Sequence, residues 1–158
     1  MTTDFKPRSL PKNHLRLWLK LLKATTLVEN QLRAQLRDQF GTTLPRFDVM
    51  AALHRHPDGL LMSKLSQVLR VSSGNVTGLV DRLVQDGMVE RQAEFSDRRA
   101  FRVRLSEAGA AHFAVQAAAH LGWVDALLAP LDPQHTQVLL TQLDAISNHI
   151  DHLRKGKP

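Results

Sequence analysis

No cysteine occurs anywhere in the 158 residues of this chain, which excludes a disulfide framework, a thiolate metal site and thiol redox sensing. No apolar run is long enough to span a bilayer, and the polar N-terminus lacks the apolar stretch of a secretory signal. A soluble cytoplasmic protein with no membrane partner is therefore expected. Internal repeats and low-complexity segments are missing as well. So is a catalytic constellation. A hydrolase needs Ser, His and Asp in a strand–turn–helix setting, or two carboxylates in one cleft. Here the serines sit at helix starts and the acidic residues scatter along polar faces, so neither enzyme activity nor a cofactor is expected. The eight histidines include two close pairs, His54 with His56 and His149 with His152. A zinc site needs three or four ligands of matched geometry. Neither pair has an evident third, and no metal site is expected.

What the chain does carry is positive charge, unevenly placed. Its 21 Lys and Arg against 15 Asp and Glu give a net charge of +6 and a pI near 10.3. That balance favours a polyanionic partner without identifying one. Residues 1–40 hold eight basic side chains against three acidic, residues 61–105 eight against five, and residues 106–158 three against five. The excess lies on the N-terminal arm and the middle of the chain, and the last third is mildly acidic. The length fits one domain, 1–158, large enough to bury a core.

The segment from Ser63 to Gly109 is the most informative. Ser63 to Leu69 forms a short helical pattern with Ser63 as its cap and Leu65, Val68 and Leu69 on its apolar side. Val71 is the buried residue of the tight turn that follows. Ser72 to Gln85 is a second helix, capped by Ser72 or Ser73, with Val76, Leu79, Val80 and Leu83 at helical spacing. Its other face is bare: Ser73, Gly74, Asn75, Thr77, Gly78 and Arg82. Small and hydrogen-bonding residues of this kind suit a helix lying in a DNA major groove. Asp86-Gly87 stops the helix. Met88 to Ala93 and Ala100 to Leu105 pair as strands, the second with Phe101, Val103 and Leu105 inward and Arg102 and Arg104 outward. Glu94 to Arg99 forms a charged tip.

The run VSSGNVTGLVDRLVQDGMVER, followed by SDRRAFRVRLSEAG, resembles the MarR family of bacterial transcriptional regulators, and the likeness extends from about Leu15 to Leu153. It implies a mainly α fold with a small β-wing: a winged helix-turn-helix over 45–105, flanked by dimerisation helices over 12–40 and 106–153. It also implies a homodimer, joined through the first and last helices, on a pseudo-palindromic double-stranded operator.

Within that frame each candidate residue has a role and an alternative. Asn75 can pair with adenine, and the Thr77 methyl can meet a thymine methyl. Ser63, Ser72 and Ser73 suit phosphate, through hydroxyl and helix N-terminus together. Arg82 can reach phosphate or pair with Asp86 one turn on. Arg99 can enter a narrow minor groove, with Asp97 holding its guanidinium and Arg98 on phosphate. In the last helix Leu139, Leu143, Ile146, Ile150 and Leu153 are spaced four, three, four and three. This is an a/d seam that fits either packing on the chain's own core or, as we read it, a dimer. His14, Trp18, Phe47, Met50, His54 and Phe113 are the candidates for an effector pocket, although a tryptophan on a leucine-rich helix such as Trp18 is more often plain core. The basic arm of Lys6, Arg8, Lys12 and Arg16 suits an anionic aromatic ligand or an acyl-coenzyme A thioester. The expected function is a sequence-specific DNA-binding regulator, a repressor released by such a ligand. The alternatives are a non-specific architectural nucleic-acid-binding protein and a metal-responsive regulator of the same fold.

Overall fold

The structure, a computed structural model, describes residues 10–94 and 100–156. Helix α1, Leu10–Phe40, is leucine-dense and meets no helix breaker between Pro11 in its first turn and Gly41. Gly41 takes a left-handed φ of 59° and ends it. Helix α2, Leu44–His54, is capped by Thr43, whose hydroxyl accepts the Arg46 N–H at 3.4 Å, and Pro45 sits in the first turn. Strand β1 (Leu60–Leu61) leads into α3 (Met62–Leu69) and α4 (Ser73–Gln85), followed by β2 (Val89–Ala93), β3 (Phe101–Leu105), α5 (Glu107–Leu127) and α6 (Pro133–Lys155). The strands form one antiparallel sheet in the order β1-β3-β2. Leu60 lies opposite Val103, and Val89 and Arg91 lie opposite Leu105 and Val103.

Two compact units meet between Gly122 and Trp123, within α5. The core of the first is built from one face of each element. Leu32 and Leu36 come from α1; Phe47, Val49, Met50, Ala52 and Leu53 fill α2; Leu65 anchors α3; Val76, Val80 and Leu83 anchor α4; and Val89, Val103 and Phe113 close it from the sheet and α5. At 25 cal/mol per Å², each such side chain contributes about 1.5–3 kcal/mol on burial.

The junction between sheet and α5 is unusually tight. Ser106 donates its N–H to the Met88 carbonyl at 3.0 Å and its hydroxyl to the Gly87 carbonyl at 2.6 Å. The same oxygen accepts the Gly109 N–H at 2.9 Å, capping α5. Gly109 is buried so closely against this strand end that a Cβ there would lie 1.9 Å from the Met88 oxygen. The LSEAG run thus fixes the start of α5 to the turn that ends α4.

In the second unit, α6 is capped by Asp132, whose carboxylate accepts the His135 N–H at 2.8 Å. That backbone bond, then the His135 ring, holds the Asp132 carboxyl below its usual range. No residue of α6 is buried.

Several local expectations are corrected. Ser63 is not a cap: α3 begins at Met62, with Leu61 in the capping position and no side-chain bond. Ser72 does occupy the N-cap of α4, yet its hydroxyl makes no capping bond. Val71 is 43% exposed rather than buried. The turn is closed by backbone instead: Arg70 adopts a left-handed φ of 55°, and the Val71 N–H returns to the Ser66 carbonyl at 3.3 Å. Phe101 is 44% exposed, so only Val103 of the three inward positions on β3 is fully buried. The Arg82–Asp86 pair does not form, because Asp86 is held by Arg46 of α2.

Candidate nucleic-acid interface

Helix α4 is gripped at its C-terminal half and bare along the face that begins at its N-terminus. Val76, Val80 and Leu83 bury one side. The end is closed by a left-handed Gly87, with the Met88 N–H returning to Leu83 and the Gly87 N–H to Val84. Two carboxylates of this region are each neutralised by an arginine from a neighbouring element. Asp81 pairs with Arg91 of β2 at 2.6 Å, and Asp86 with Arg46 of α2. Ser73, Gly74, Asn75, Thr77, Gly78 and Arg82 are all exposed. The Thr77 hydroxyl donates to the Ser73 carbonyl at 2.9 Å. Its donor is thereby committed to the helix, which leaves the methyl and the acceptor side of the hydroxyl oxygen for an outside contact. Arg82 makes no ion pair among the described residues.

Two open grooves flank this helix. One, of about 440 Å³, is lined by Leu61, Met62, Ser63, Thr77, Arg91, Ala100 and Phe101. The other, of about 430 Å³, is lined by Pro45, Val71, Gly74, Asn75, Gly78, Leu79 and Arg82. Ser63, Thr77, Asn75 and Arg82 therefore border the grooves, while Ser72 and Ser73 stand exposed at the helix start.

The wing is less basic than its sequence suggests. Arg102 pairs with Glu94 at 3.2 Å and donates to the Gly59 carbonyl at 3.0 Å, and Arg104 pairs with Glu90 at 3.1 Å. These cross-strand carboxylates neutralise the charge that the alternation places on the outer face. Asp97, Arg98 and Arg99 lie outside the described residues.

The effector candidates divide into two sets. Phe47, Met50 and Phe113 are buried where α2 meets α5. The Phe47 and Phe113 rings lie 5.3 Å apart, and the exposed His54 ring is 5.0 Å from Phe113. His120, which sequence reasoning passed over, stacks on Phe47 at 4.5 Å. Burial holds its ring below the ordinary histidine value. His14 and Trp18 stand apart from this cluster, exposed on the first half of α1. Trp18 is 56% exposed, so in the single chain it is not core. The helical rise puts it about 21 Å before Leu32, the first buried residue of α1. The five seam residues of α6 are each 42–58% exposed.

Arg46, Asp81 and Arg91 were missed as a group because their pairing spans separate elements. One signal was available in sequence. Arg46 stands at the start of a helix and Asp86 at the end of another, each at the end that disfavours its charge.

Among the described residues, no group of three His, Asp or Glu side chains is placed to hold a metal ion. No helix among them is long and apolar enough to cross a membrane.

A profile of the MarR family matches residues 40–100. The crystal structure of a MarR family transcriptional regulator from Silicibacter pomeroyi is 38% identical, with a TM-score of 0.77 over 90% of this chain and 99% of that one. The uncharacterized HTH-type transcriptional regulator YfiV of Bacillus subtilis is 26% identical over 160 residues, 98% of this chain and 95% of its own length. A MarR family regulator from Streptomyces coelicolor, solved in complex with DNA, has a TM-score of 0.80 over 92% of each chain. At 22% identity it speaks to the fold alone.

Proposed function

This chain belongs to the MarR family of transcriptional regulators, DNA-binding proteins rather than enzymes, and from that premise we propose that it represses as a homodimer on a pseudo-palindromic operator. The observation that carries the reading is the exposed face of α4, small and polar from Ser73 to Gly78, on a helix whose opposite side is locked into the core. In this reading Asn75 and Thr77 meet base edges. Ser63, Ser72, Ser73, Arg82 and Arg98 meet phosphate, and Arg99 enters the minor groove with Asp97 steadying it. A regulator of the same fold has been solved in complex with DNA, which is in keeping with DNA as the partner of this fold.

A single α4 covers half a palindrome, and two-fold assembly supplies the other half. The exposed apolar residues of α1, among them Leu15, Trp18, Leu19 and Leu22, and those of α6 supply the surface for a second copy. One domain, 1–158, would then serve both tasks, with 45–105 on DNA and 12–40 and 106–153 at the dimer.

Release requires a ligand that prefers the non-binding arrangement of the two reading heads. The Phe47–Phe113–His54 cluster joins α2 to α5, with both phenylalanine rings buried and His54 exposed beside them. Lys12 and Arg16 are exposed on α1 and suit the anionic group of an aromatic acid or acyl-coenzyme A thioester.

The test is a salt titration on two duplexes, one enriched by this chain from a random-sequence pool and one random. Specific binding predicts a ratio of about 10³ or more at physiological salt. A ratio near one would favour a non-specific architectural protein. Aromatic carboxylates added to the specific complex should weaken it by about 5–150-fold.

A further inference from the structure

Arg46 and Asp86 each sit where their own helix opposes them. Arg46 lies in the first turn of α2, where the helix dipole disfavours a cation, and Asp86 caps the C-terminus of α4, where it disfavours an anion. The Arg46 Nε is also buried without a hydrogen-bond partner. Asp86 has an alternative nearer in sequence, since Arg82 lies one turn earlier on its own helix at i,i+4 spacing, in the weaker order with the base N-terminal to the acid. It pairs instead with Arg46, forty residues away in sequence. Arg46 is largely covered, its side chain 25% exposed, and so is poorly placed to serve DNA itself. Arg82, by contrast, borders the groove beside Asn75 and Gly78 and has no ion pair among the described residues.

We propose that Arg46 is a positioning residue for DNA binding: by holding Asp86 it withholds that carboxylate from Arg82, which stays free for phosphate. Without Arg46, the nearest cation on the same helix as Asp86 is Arg82. A guanidinium engaged by a neighbouring carboxylate must give up that bond before it can release a counterion from DNA. The inference rests on the reading of α4 as the DNA-facing helix.

The probe is the duplex enriched by the wild-type chain from a random-sequence pool, titrated at several salt concentrations. Arg46→Met should weaken binding about three- to tenfold, the range of one partly exposed charged hydrogen bond. It should also lower the salt slope by about one phosphate contact, as Arg82→Gln does. In the Arg82→Gln background, Arg46→Met should have almost no further effect, because nothing remains to capture. Asp86→Asn removes captor and tether together and should bind at least as tightly as wild type, which keeps the test decisive if Arg46→Met fails to fold. An Arg46→Met penalty of the same size in both backgrounds overturns the proposal, as does weakened binding by Asp86→Asn. If Arg82→Gln alone leaves affinity and salt slope unchanged, Arg82 does not meet phosphate and the proposal is overturned, whereas the reading of α4 itself fails only if the wild-type chain enriches no common sequence.

Discussion

Gly109→Ala and Gly122→Ala make the same chemical change on the same helix, and the structure gives them opposite signs. A Cβ at Gly122 meets nothing within 4 Å, whereas at Gly109 it would lie 1.9 Å from the Met88 oxygen, a distance real Cβ atoms essentially never show. To relieve that overlap, the start of α5 or the Met88 carbonyl must move by about 1 Å, which overpacking data put at about 1–3 kcal/mol. Such a shift also strains the Ser106 bonds to Met88 and Gly87, each worth about 1 kcal/mol. Alanine's helix preference, about 1 kcal/mol over glycine, offsets only part. The net loss is about 2–4 kcal/mol, or roughly 5–15 °C in Tm for a chain of this size. At Gly122 only the helix gain operates, raising Tm by about 2–4 °C. Thermal and urea unfolding followed by circular dichroism would measure both. Equal shifts, or a stabilised Gly109→Ala, would refute the claim that contact between α5 and the end of α4 fixes this junction.

Other outcomes follow from the dimer, the wing and the half-buried His120. Leu143→Asp places an unpaired carboxylate, costing several kcal/mol when buried, in the proposed seam; sedimentation should show a folded monomer with weakened operator binding, and an intact dimer would contradict the seam. Arg99→Ala should weaken operator binding by about 1–3 kcal/mol and relax preference for flanking A·T pairs, with Asp97→Ala doing part of the same damage; an unchanged affinity at moderate salt would remove Arg99 from the interface. Because burial lowers the His120 value in the folded chain, its ring imposes no penalty above its ordinary value of 6.5. As pH falls below that point the unfolded chain takes up the proton first, so stability declines until the folded ring titrates too. His120→Gln should flatten this part of the pH–stability curve, and a superimposable curve would show that the stack on Phe47 does not disfavour protonation.

The elements were legible because their punctuation is local. Gly41, Thr43, Asp86-Gly87, Ser106 and Asp132-Pro133 each act within a few residues, and the helices and strands begin and end beside them. The bare face of α4 was legible for the same reason, as it follows from helical spacing alone. Most of what was not legible depends on partners distant in sequence, while the Ser63 and Ser72 caps and Val71 failed locally. Val71 looked buried because it is apolar in a tight turn, but the turn is closed by backbone bonds around Arg70 and does not need its side chain. Arg102 and Arg104 looked like a basic surface until the pairing of β2 with β3 set Glu90 opposite Arg104 and brought Glu94, just past β2, within reach of Arg102. Asp86 had a local partner in Arg82, and only the packing of α2 beside α4 brings Arg46 close enough to displace it. Trp18 looked like core or pocket because hydrophobic spacing marks a buried face without saying whether the same chain or a second copy buries it.

The account stands most directly on whether the exposed face of α4 selects sequence. Wild type and the Asn75→Ala and Thr77→Ala variants should each be allowed to enrich duplexes from one random-sequence pool. The wild type should recover an inverted repeat whose half-sites lie about one helical turn apart, roughly 10 base pairs. Each variant should lose preference at one position per half-site while keeping the spacing. Recovery of no common sequence, or of the same sequence by all three proteins, would contradict the assignment of α4 as the helix that reads DNA.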